Sequence, residues 1–388
     1  MTQVAIIGAG LVGMSAALAL KKKTNTLLKI FDNNPKTQPK SKHPITLRYQ
    51  HKKLLEQLEL WDTLASKAVT IKKLSITQKD TFGHASLDAG TFGHEAIAYT
   101  IPYDVLFSEL SKKTQEFTNY NSTILSLTRE NDWQLCYQQN TQSKHEVAKR
   151  IVVADGIKAP ISSKLGWQAT YYGPKFYSII YPIYTKYCPK STAFQRFTSH
   201  YSYGVIPQQA NDSNWLIITM NNKYYQDWLS LDTAQQHQRI KDDIQPICGE
   251  VEVGEPYASY PSQLHIRQHY STPAALGLGS SQLSLPPIGA QGFNTTLQNI
   301  NSFISQYQRS AWHIQEPLSW QAEYAKIVDN RCARVFNHAK RWMDLREQQC
   351  SIWQRLLQTS AWTWLGINGN IEHDIWQIGQ GINPLEVS

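Results

Sequence analysis

The stretch Val4–Gly13, VAIIGAGLVG, decides the fold, because a short apolar β-branched run leads directly into a G-x-G-x-x-G turn. The helical run Met14–Leu20 follows, and a second apolar run, Leu27–Phe31, ends at Asp32. Strand, glycine-rich turn, helix, strand and acid in this order are typical of the βαβ unit that binds a dinucleotide. We therefore predict an α/β fold with a bound adenine dinucleotide near its amino terminus.

Each residue of this motif has a predicted task. Gly8 allows the tight turn, Gly10 lets the backbone approach a pyrophosphate, and Gly13 lets the helix lie close to the sheet. The helix N-terminus offers free N–H groups and a partial positive charge to the phosphates. Asp32 is expected to accept hydrogen bonds from both ribose hydroxyls. The turn does not say which dinucleotide is bound, and a glycine-rich turn without a ligand is the alternative.

Composition excludes several classes of protein. The chain has 388 residues, a net charge of +8 and 41% hydrophobic residues, so it can bury a large core and is not intrinsically disordered. Its lysines and arginines are spread thinly, with no more than three in a row, which argues against nucleic-acid binding. The five cysteines lack the spacing of a disulfide framework or a zinc site, and we predict no metal. No apolar run reaches the length of a membrane span, so we expect a cytoplasmic protein, with peripheral membrane attachment as the alternative.

Beyond the first unit, α/β stretches alternate with β-rich ones. Apolar residues at near-helical spacing predict a helix over residues 44–68. His265 and His269 have the spacing of two zinc ligands on a helix, but nearby prolines in a β-rich stretch favour exposed strand residues. The predicted organisation is a dinucleotide-binding domain of residues 1–75, 105–165 and 276–312, a β-sheet substrate domain of residues 76–104 and 166–275, and a helical C-terminal region of residues 313–388.

Four segments together resemble a known family. They are the Gly8–Gly13 turn, Ile45–Trp61, Ile151–Gly156 and Pro287–Asn294, the last with the sequence PIGAQGFN. With these segments the chain resembles the flavin-dependent aromatic hydroxylases, most closely the UbiH-type subgroup that hydroxylates ubiquinone precursors. The resemblance implies a Rossmann-like FAD-binding domain interleaved with an antiparallel β-sheet substrate domain, followed by a helical tail.

The resemblance also implies a reaction. FAD is the cofactor, and a nicotinamide (NADPH or NADH) or another reductase is the transient electron donor. The reaction would hydroxylate the aromatic ring of a polyprenylated phenol in ubiquinone biosynthesis through a flavin C4a-hydroperoxide. Since the cofactor carries this chemistry, no residue of the chain is singled out as catalytic. The cofactor-binding residues implied are Gly8, Gly10, Gly13, Asp32, Arg48, Asp155, Gly156, Gly279, Ser280, Pro287, Gln291, Gly292, Phe293 and Asn294.

Several positions depart from the family pattern. Ser280 stands where an Asp usually binds the ribityl chain, Ala159 and Ser162 stand where a Ser and an Arg are usual, and His43 stands where an Arg is expected. Arg48 is a candidate substitute for that Arg. Each loss removes hydrogen bonds to the cofactor, so we predict weak FAD binding.

These departures leave other functions open. The chain could be a flavin-binding protein of altered activity, or a degenerate, non-catalytic subunit of a quinone-synthesis complex with weak or no FAD binding. A nicotinamide dehydrogenase is a more distant alternative. The stretch His338–Trp362 is predicted to form an amphipathic helix, which would pack on its own domain or contact a membrane surface or another subunit.

Overall fold

The computed structural model describes residues 2–36, 41–80, 84–158, 160–210, 212–267, 271–272, 274–309 and 318–347. Within these ranges the chain forms three β-sheets with helices packed against them, which confirms the predicted α/β fold class. The helices are α1 (Leu11–Thr24), α2 (His51–Gln57), α3 (Trp61–Ala65), α4 (Tyr103–Thr114), α5 (Pro160–Lys164), α6 (Asn222–Leu229), α7 (Thr233–Cys248), α8 (Gln291–Arg309) and α9 (Leu318–Glu347).

The strands of the three sheets, in chain order, are β1 (Thr2–Ile7), β2 (Leu28–Phe31), β3 (Pro44–Arg48), β4 (Val69–Ile71), β5 (Lys73–Gln78), β6 (His84–Asp88), β7 (Ala98–Pro102), β8 (Thr118–Asn119), β9 (Ser122–Arg129), β10 (Trp133–Gln139), β11 (Gln142–Val153), β12 (Ala169–Thr185), β13 (Thr192–Phe197), β14 (Ser202–Pro207), β15 (Ser213–Asn221), β16 (Val251–Val253), β17 (Ala258–Arg267), β18 (Ser271–Thr272), β19 (Ala275–Gly277) and β20 (Leu283–Ser284).

In the first sheet, β1 lies between β2 and β11 and is parallel to both. β8 extends the parallel arrangement on one side and β19 on the other, while β9, β10 and the first half of β11 form an antiparallel meander. Because α1 carries the chain from β1 to β2 and the chain later returns to pair on the opposite side, the carboxyl end of β1 is a topological switch point. Ligands of open α/β sheets bind at such points.

Helix α1 forms the centre of the main core. Its buried residues include Met14, Ala16, Ala17 and Leu20, so the helix is enclosed on most sides. It contacts α4 and α8, which pack on the same face of the first sheet. Small side chains along α1 allow this close approach and fix the position of the glycine-rich turn at its N-terminus.

The second sheet has the order β20-β17-β12-β15-β14-β13-β5-β6, and all its pairs are antiparallel except β13–β5. Helices α6 and α7 cover one face, where Tyr181, Tyr203 and Trp228 form the core. Since side chains alternate along a strand, Ser178 and Thr219 lie on the opposite face, with their hydroxyl oxygens 3.0 Å apart. The third sheet is small and has the order β3-β7-β4.

The helix predicted over residues 44–68 is wrong for its first part. Residues Pro44–Arg48 form β3, which pairs with β7, and α2 and α3 follow separately. The two helices are interrupted near Glu59, whose φ is +54°. The leucines of β3 and of the two helices face one core, so their spacing resembled that of a single helix although the backbone changes conformation.

Strand pairing crosses the predicted domain boundaries at several points. β5 begins at Lys73 and belongs to the second sheet, and β20, within residues 276–312, also joins that sheet by pairing with β17. β7, within residues 76–104, pairs instead with β3 and β4. These pairings tie the first and second sheets closely together, and the division into domains itself stays a prediction.

Helix α9 packs on α8 and reaches β17, and Tyr324 and Cys332 are fully buried on it. Residues 348–388 and the side chains of residues 341–347 lie outside the described residues, and with them most of the predicted amphipathic stretch His338–Trp362. Among the helices of the described ranges, none combines the length and apolar character needed to cross a membrane.

Candidate cofactor site

The glycine-rich turn connects β1 to α1 by close backbone packing. Gly8 has a φ of +108°, and a Cβ atom there would lie 2.3 Å from the carbonyl oxygen of Ala154, which follows β11. A Cβ atom at Gly13 would lie 1.9 Å from the carbonyl oxygen of Gly8. Neither position can hold a side chain, so these two glycines set the tight turn and the close approach of α1.

Asp32 lies beside this turn, at the end of β2. Its Oδ2 accepts a hydrogen bond of 2.6 Å from the backbone N–H of Ala9, and its Oδ1 accepts one of 2.8 Å from that of Asn34. The carboxylate is therefore oriented by the backbone on both sides.

Tyr103, at the start of α4, was not singled out from the sequence. Burial and then the charge of Asp32 raise the pKa of its hydroxyl, and its ring stacks on His43 with centroids 4.6 Å apart.

Asp155 and Gly156 follow β11, next to the turn. Asp155 Oδ2 accepts a hydrogen bond of 2.7 Å from Ile161 N–H at the start of α5, while Oδ1 is buried with no hydrogen-bond partner among the described residues. Burial raises the pKa of this carboxyl group. Ser162 is fully buried on α5, and Ala159 lies outside the described residues. The unpaired oxygen of Asp155 is an acceptor available to a ligand.

Gly279 and Ser280 begin a turn that follows β19. Gly279 has a φ of +67°, and a Cβ atom there would lie 2.9 Å from Val12 in the first turn of α1. The hydroxyl of Ser281 donates to the carbonyl oxygen of Val153 at 2.8 Å. The ends of β11 and β19 and the start of α1 thus meet at this turn.

Behind the turn lie two buried residues of β17. His265, expected to be exposed, is 1% exposed, and Arg267 is 4% exposed. The expectation failed because the turn at residues 279–281 packs against these two side chains: His265 Nε2 lies 3.1 Å and Arg267 Nη1 lies 3.2 Å from the carbonyl oxygen of Ser280. His269, which with His265 has the spacing of two zinc ligands on a helix, lies outside the described residues. In the described ranges no group of three side chains could hold a metal ion.

The loop at Pro287 leads into the N-terminus of α8. Asn294 is fully buried, and its amide donates to the carbonyl oxygen of Thr46 at 2.8 Å and accepts from the backbone N–H of Arg48 at 2.8 Å. Its side chain therefore joins β3 to α8. Gln291, Gly292 and Phe293 form the exposed or half-buried first turn of the helix.

Two basic side chains lie near this helix terminus. Burial lowers the pKa of Arg48 to about 10, and in the described part of the chain no carboxylate lies within 4.0 Å of its guanidinium. His51 is buried, and burial followed by the charge of Arg48 lowers its pKa to about 3. Arg48 is thus a cation on this side of the site, and His51 is neutral at pH 7.

The glycines of the site fall into two groups. Gly8, Gly13 and Gly279 are packed against other backbone or side-chain atoms. At Gly10, Gly156 and Gly292 a Cβ atom would meet none of the described atoms within 4 Å. The second group borders open space beside the strand ends and the α8 N-terminus. Together with the unpaired oxygen of Asp155, this cradle fits an extended dinucleotide such as FAD.

A separate cleft of about 550 Å³ lies between α2, α3 and the small sheet. Lys52, Trp61 and Tyr99 line it, with the ammonium of Lys52 5.4 Å from the Trp61 ring centroid. Its lining shares no residue with the cofactor-binding residues predicted from the sequence.

Known proteins share both the sequence pattern and the fold. Residues 1–306 match the family described as FAD binding domain. The chain is 23% identical over 304 residues to the uncharacterized protein slr1300 of Synechocystis sp., covering 76% of this chain and 72% of that protein.

Two solved structures have a similar fold. The p-nitrophenol 4-monooxygenase PnpA from Pseudomonas putida DLL-E4 superposes with a TM-score of 0.79 and 10% identity, over 98% of each chain. The flavin-dependent monooxygenase PieE, solved with FAD and substrate, gives a TM-score of 0.70 and 12% identity over 98% of this chain and 72% of PieE. At these identities the likeness shows the fold, and the family match covers most of the chain. The chain belongs to the FAD binding domain family.

Proposed function

We propose that this protein is a FAD-dependent monooxygenase that hydroxylates the aromatic ring of a (poly)prenylated phenol in ubiquinone biosynthesis. One observation carries the proposal. The Gly8–Gly13 turn, Asp155 and Gly279 meet at the carboxyl ends of β1, β11 and β19, beside open space at Gly10 and Gly156. When bound there, FAD supplies the activation of oxygen and its transfer to the ring.

The chain itself supplies orientation and charge. The 19-residue helix α8 directs its N-terminal N–H groups and partial positive charge toward the open space at Gly292. Arg48 adds a cation on the same side, since Asn294 ties its backbone to the first turn of α8. Negative charge that develops on a ligand in this region is therefore stabilised.

The second sheet carries buried hydroxyls and buried apolar side chains. The hydroxyl oxygens of Ser178 and Thr219 are buried and lie 3.0 Å apart on the face opposite α6 and α7. The buried side chains of Phe176 and Leu264 pack against Leu285 and against Phe336 of α9. The prenylated substrate is supported by the resemblance of two sequence segments to the UbiH-type subgroup, Ile45–Trp61 and Pro287–Asn294.

The electron donor and the partners belong to the same proposal. NADPH or NADH, or another reductase, would reduce the cofactor, and residues 313–388 would contact a membrane surface or a quinone-synthesis complex. A lipid-soluble substrate is the reason to expect such contact.

The direct test uses the purified full chain. Its released cofactor is identified, and the protein is then incubated with NADPH, a prenylated 4-hydroxybenzoate and ¹⁸O₂. We expect FAD, phenol-dependent NADPH oxidation and one ¹⁸O atom in the ring of the product. Bound FAD without ¹⁸O incorporation into any prenylated or simple phenol would overturn the hydroxylase assignment.

A second candidate function is favoured by Ser280, which lacks the carboxylate expected at this turn. A non-catalytic subunit with weak or no FAD binding would remain colourless through purification and in titration with FAD. It would also stay associated with the enzymes of a quinone-synthesis complex during gel filtration. An active protein that binds FAD stoichiometrically excludes this candidate.

A further inference from the structure

Arg267 is a buried cation behind the turn that carries Ser280. The residue is 4% exposed, and its Nη1 donates to the carbonyl oxygens of Ser280 and Ser281 at 3.2 and 3.1 Å. The side chain is therefore enclosed even before any ligand occupies the site.

Among the described residues, no carboxylate forms an ion pair with this charge. In the described ranges no Asp or Glu oxygen lies within 4.0 Å of the guanidinium, and its Nε has no hydrogen-bond partner there. The charge of Arg267 partly opposes the rise that burial causes in the pKa of Asp155, but the two side chains form no ion pair. A buried charge without a counter-charge is costly, and such charges are normally paired. The missing counter-charge points to an anionic ligand.

The neighbouring histidine adds no counter-charge. His265 Nε2 lies 3.0 Å from Arg267 Nη1, and burial together with the charge of Arg267 lowers its pKa to about 4. At pH 7 the imidazole is neutral. The pair therefore carries a single positive charge.

The turn connects this charge to the dinucleotide cradle. Gly279 packs on Val12 in the first turn of α1, and the Ser281 hydroxyl bonds to the end of β11. Arg267 therefore lies behind the point where the glycine-rich turn, β11 and β19 meet. A diphosphate at the N-terminus of α1 would be the nearest strong anion.

We propose that Arg267 is a positioning residue whose uncompensated charge attracts the diphosphate of an adenine dinucleotide and offsets the missing acid at Ser280. The proposal deepens the proposed function, since it takes the ligand of this site to be FAD. It depends only on the adenosine diphosphate half of the ligand. It can therefore be tested apart from the flavin.

The test measures ADP and FAD binding by titration calorimetry for the full chain and two variants. Arg267→Gln keeps hydrogen-bond donors but removes the charge, and Arg267→Lys keeps the charge. We expect Arg267→Gln to weaken both ligands about tenfold, which corresponds to about 1.4 kcal/mol, and Arg267→Lys to stay within about threefold of wild type. Lys149→Gln removes an exposed charge of the same sign and is the matched control.

The outcomes separate the two proposals. If Arg267→Gln weakens FAD but not ADP, or if the Gln and Lys variants lose equally, the residue only shapes the turn and the charge role is overturned. If wild type binds ADP in an Arg267-dependent way but not FAD, this inference stands and the proposed function fails. If wild type binds neither ligand, both fail.

A second variant keeps the test decisive if Arg267→Gln does not fold. Ser280→Asp places a carboxylate on the turn and neutralises the charge without altering Arg267. We expect this variant to bind ADP several-fold more weakly than wild type. Unchanged ADP affinity in Ser280→Asp would overturn the inference.

Discussion

At the scale of single residues, the polar side chains of the site are oriented by backbone groups. Asn294 bonds to the backbone of β3, and Asp32 accepts from the N–H groups of Ala9 and Asn34. Such bonds fix a side chain before a ligand arrives, which lowers the entropic cost of binding. Asn34 Nδ2 also donates to Oδ1 at 2.9 Å, so three of the about four hydrogen bonds that a carboxylate accepts are made and about one acceptor position is left for a ribose hydroxyl.

Asp32→Ala is expected to weaken FAD binding by about 1–3 kcal/mol, because the ribose hydroxyls lose a charged acceptor. Asp32→Asn keeps an oxygen for Ala9 N–H and loses only the charge, so its loss should be smaller. Fluorescence titration of apo-protein with FAD measures both. Asp62→Ala, an exposed acid on α3, is the control, and an unchanged dissociation constant in Asp32→Ala would contradict the assignment.

Ser280→Asp is expected to tighten FAD by about 1–2 kcal/mol, because a carboxylate accepts stronger hydrogen bonds from the ribityl hydroxyls than a serine does. Both ligands carry the diphosphate and lose part of the attraction of Arg267. The tightening given for FAD is the net change after that loss, whereas ADP has no ribityl chain and only loses affinity. Calorimetry measures both affinities. A higher affinity for FAD together with a lower affinity for ADP would support contact of residue 280 with the ribityl chain and attraction of the diphosphate by Arg267. If wild type already keeps FAD stoichiometrically through gel filtration, the prediction of weak binding is wrong.

At the scale of elements, α7 is held on the second sheet by a buried carboxylate. Asp243 is 4% exposed; its Oδ2 accepts from the hydroxyl of Tyr203 at 2.7 Å, and its Oδ1 contacts the ammonium of Lys79 at 2.6 Å. Tyr203 lies on β14 and Lys79 directly follows β5. One side chain therefore joins the helix to two strands.

Asp243→Ala is expected to lower the free energy of unfolding by about 2–3 kcal/mol, because the buried hydroxyl of Tyr203 is left without an acceptor. Asp242→Ala is the matched control, since this neighbour is exposed and bonds only Gln238 in the described contacts. Its effect should stay within about 0.5 kcal/mol. Urea denaturation followed by tryptophan fluorescence compares the two. Equal losses would show that Asp243 does not anchor α7.

At the scale of the whole molecule, buried neutral histidines link stability to pH. Burial and a neighbouring arginine lower the pKa of His265 to about 4 and that of His51 to about 3. In the unfolded chain both titrate near 6.5. The unfolded state therefore binds more protons between these values, and stability is complete above pH 6.5 and is lost as the pH falls toward 4.

His265→Gln is expected to reduce this loss by about 2–3 kcal/mol between pH 6.5 and 4, since one of the two groups no longer titrates. Urea denaturation at several pH values gives the free energy of unfolding, and its loss between pH 6.5 and 4 is compared between wild type and variant. His84→Gln, at an exposed position, should keep the slope of wild type. Identical slopes for all three proteins would show that folding does not lower the pKa of His265.

The sequence by itself determined the α/β fold and the position of the glycine-rich turn that is predicted to bind the cofactor. Strand, glycine-rich turn, helix and acid are contiguous between Val4 and Asp32, so propensity and spacing specify them locally. The same holds for the short motif Pro287–Asn294, which precedes and begins α8. The glycine pattern also has local causes, since Gly13 must pack on Gly8 five residues earlier.

Only the tertiary structure decided which polar groups are buried and what they contact. Asn294 bonds to Thr46 across 248 positions, and the turn at residues 279–281 lies against the side chains of His265 and Arg267. Burial and partners of this kind depend on which distant segments become neighbours, and no local pattern encodes that. A single sequence therefore showed the missing acid at Ser280, whereas the unpaired charge behind it became visible only when the strands were assembled.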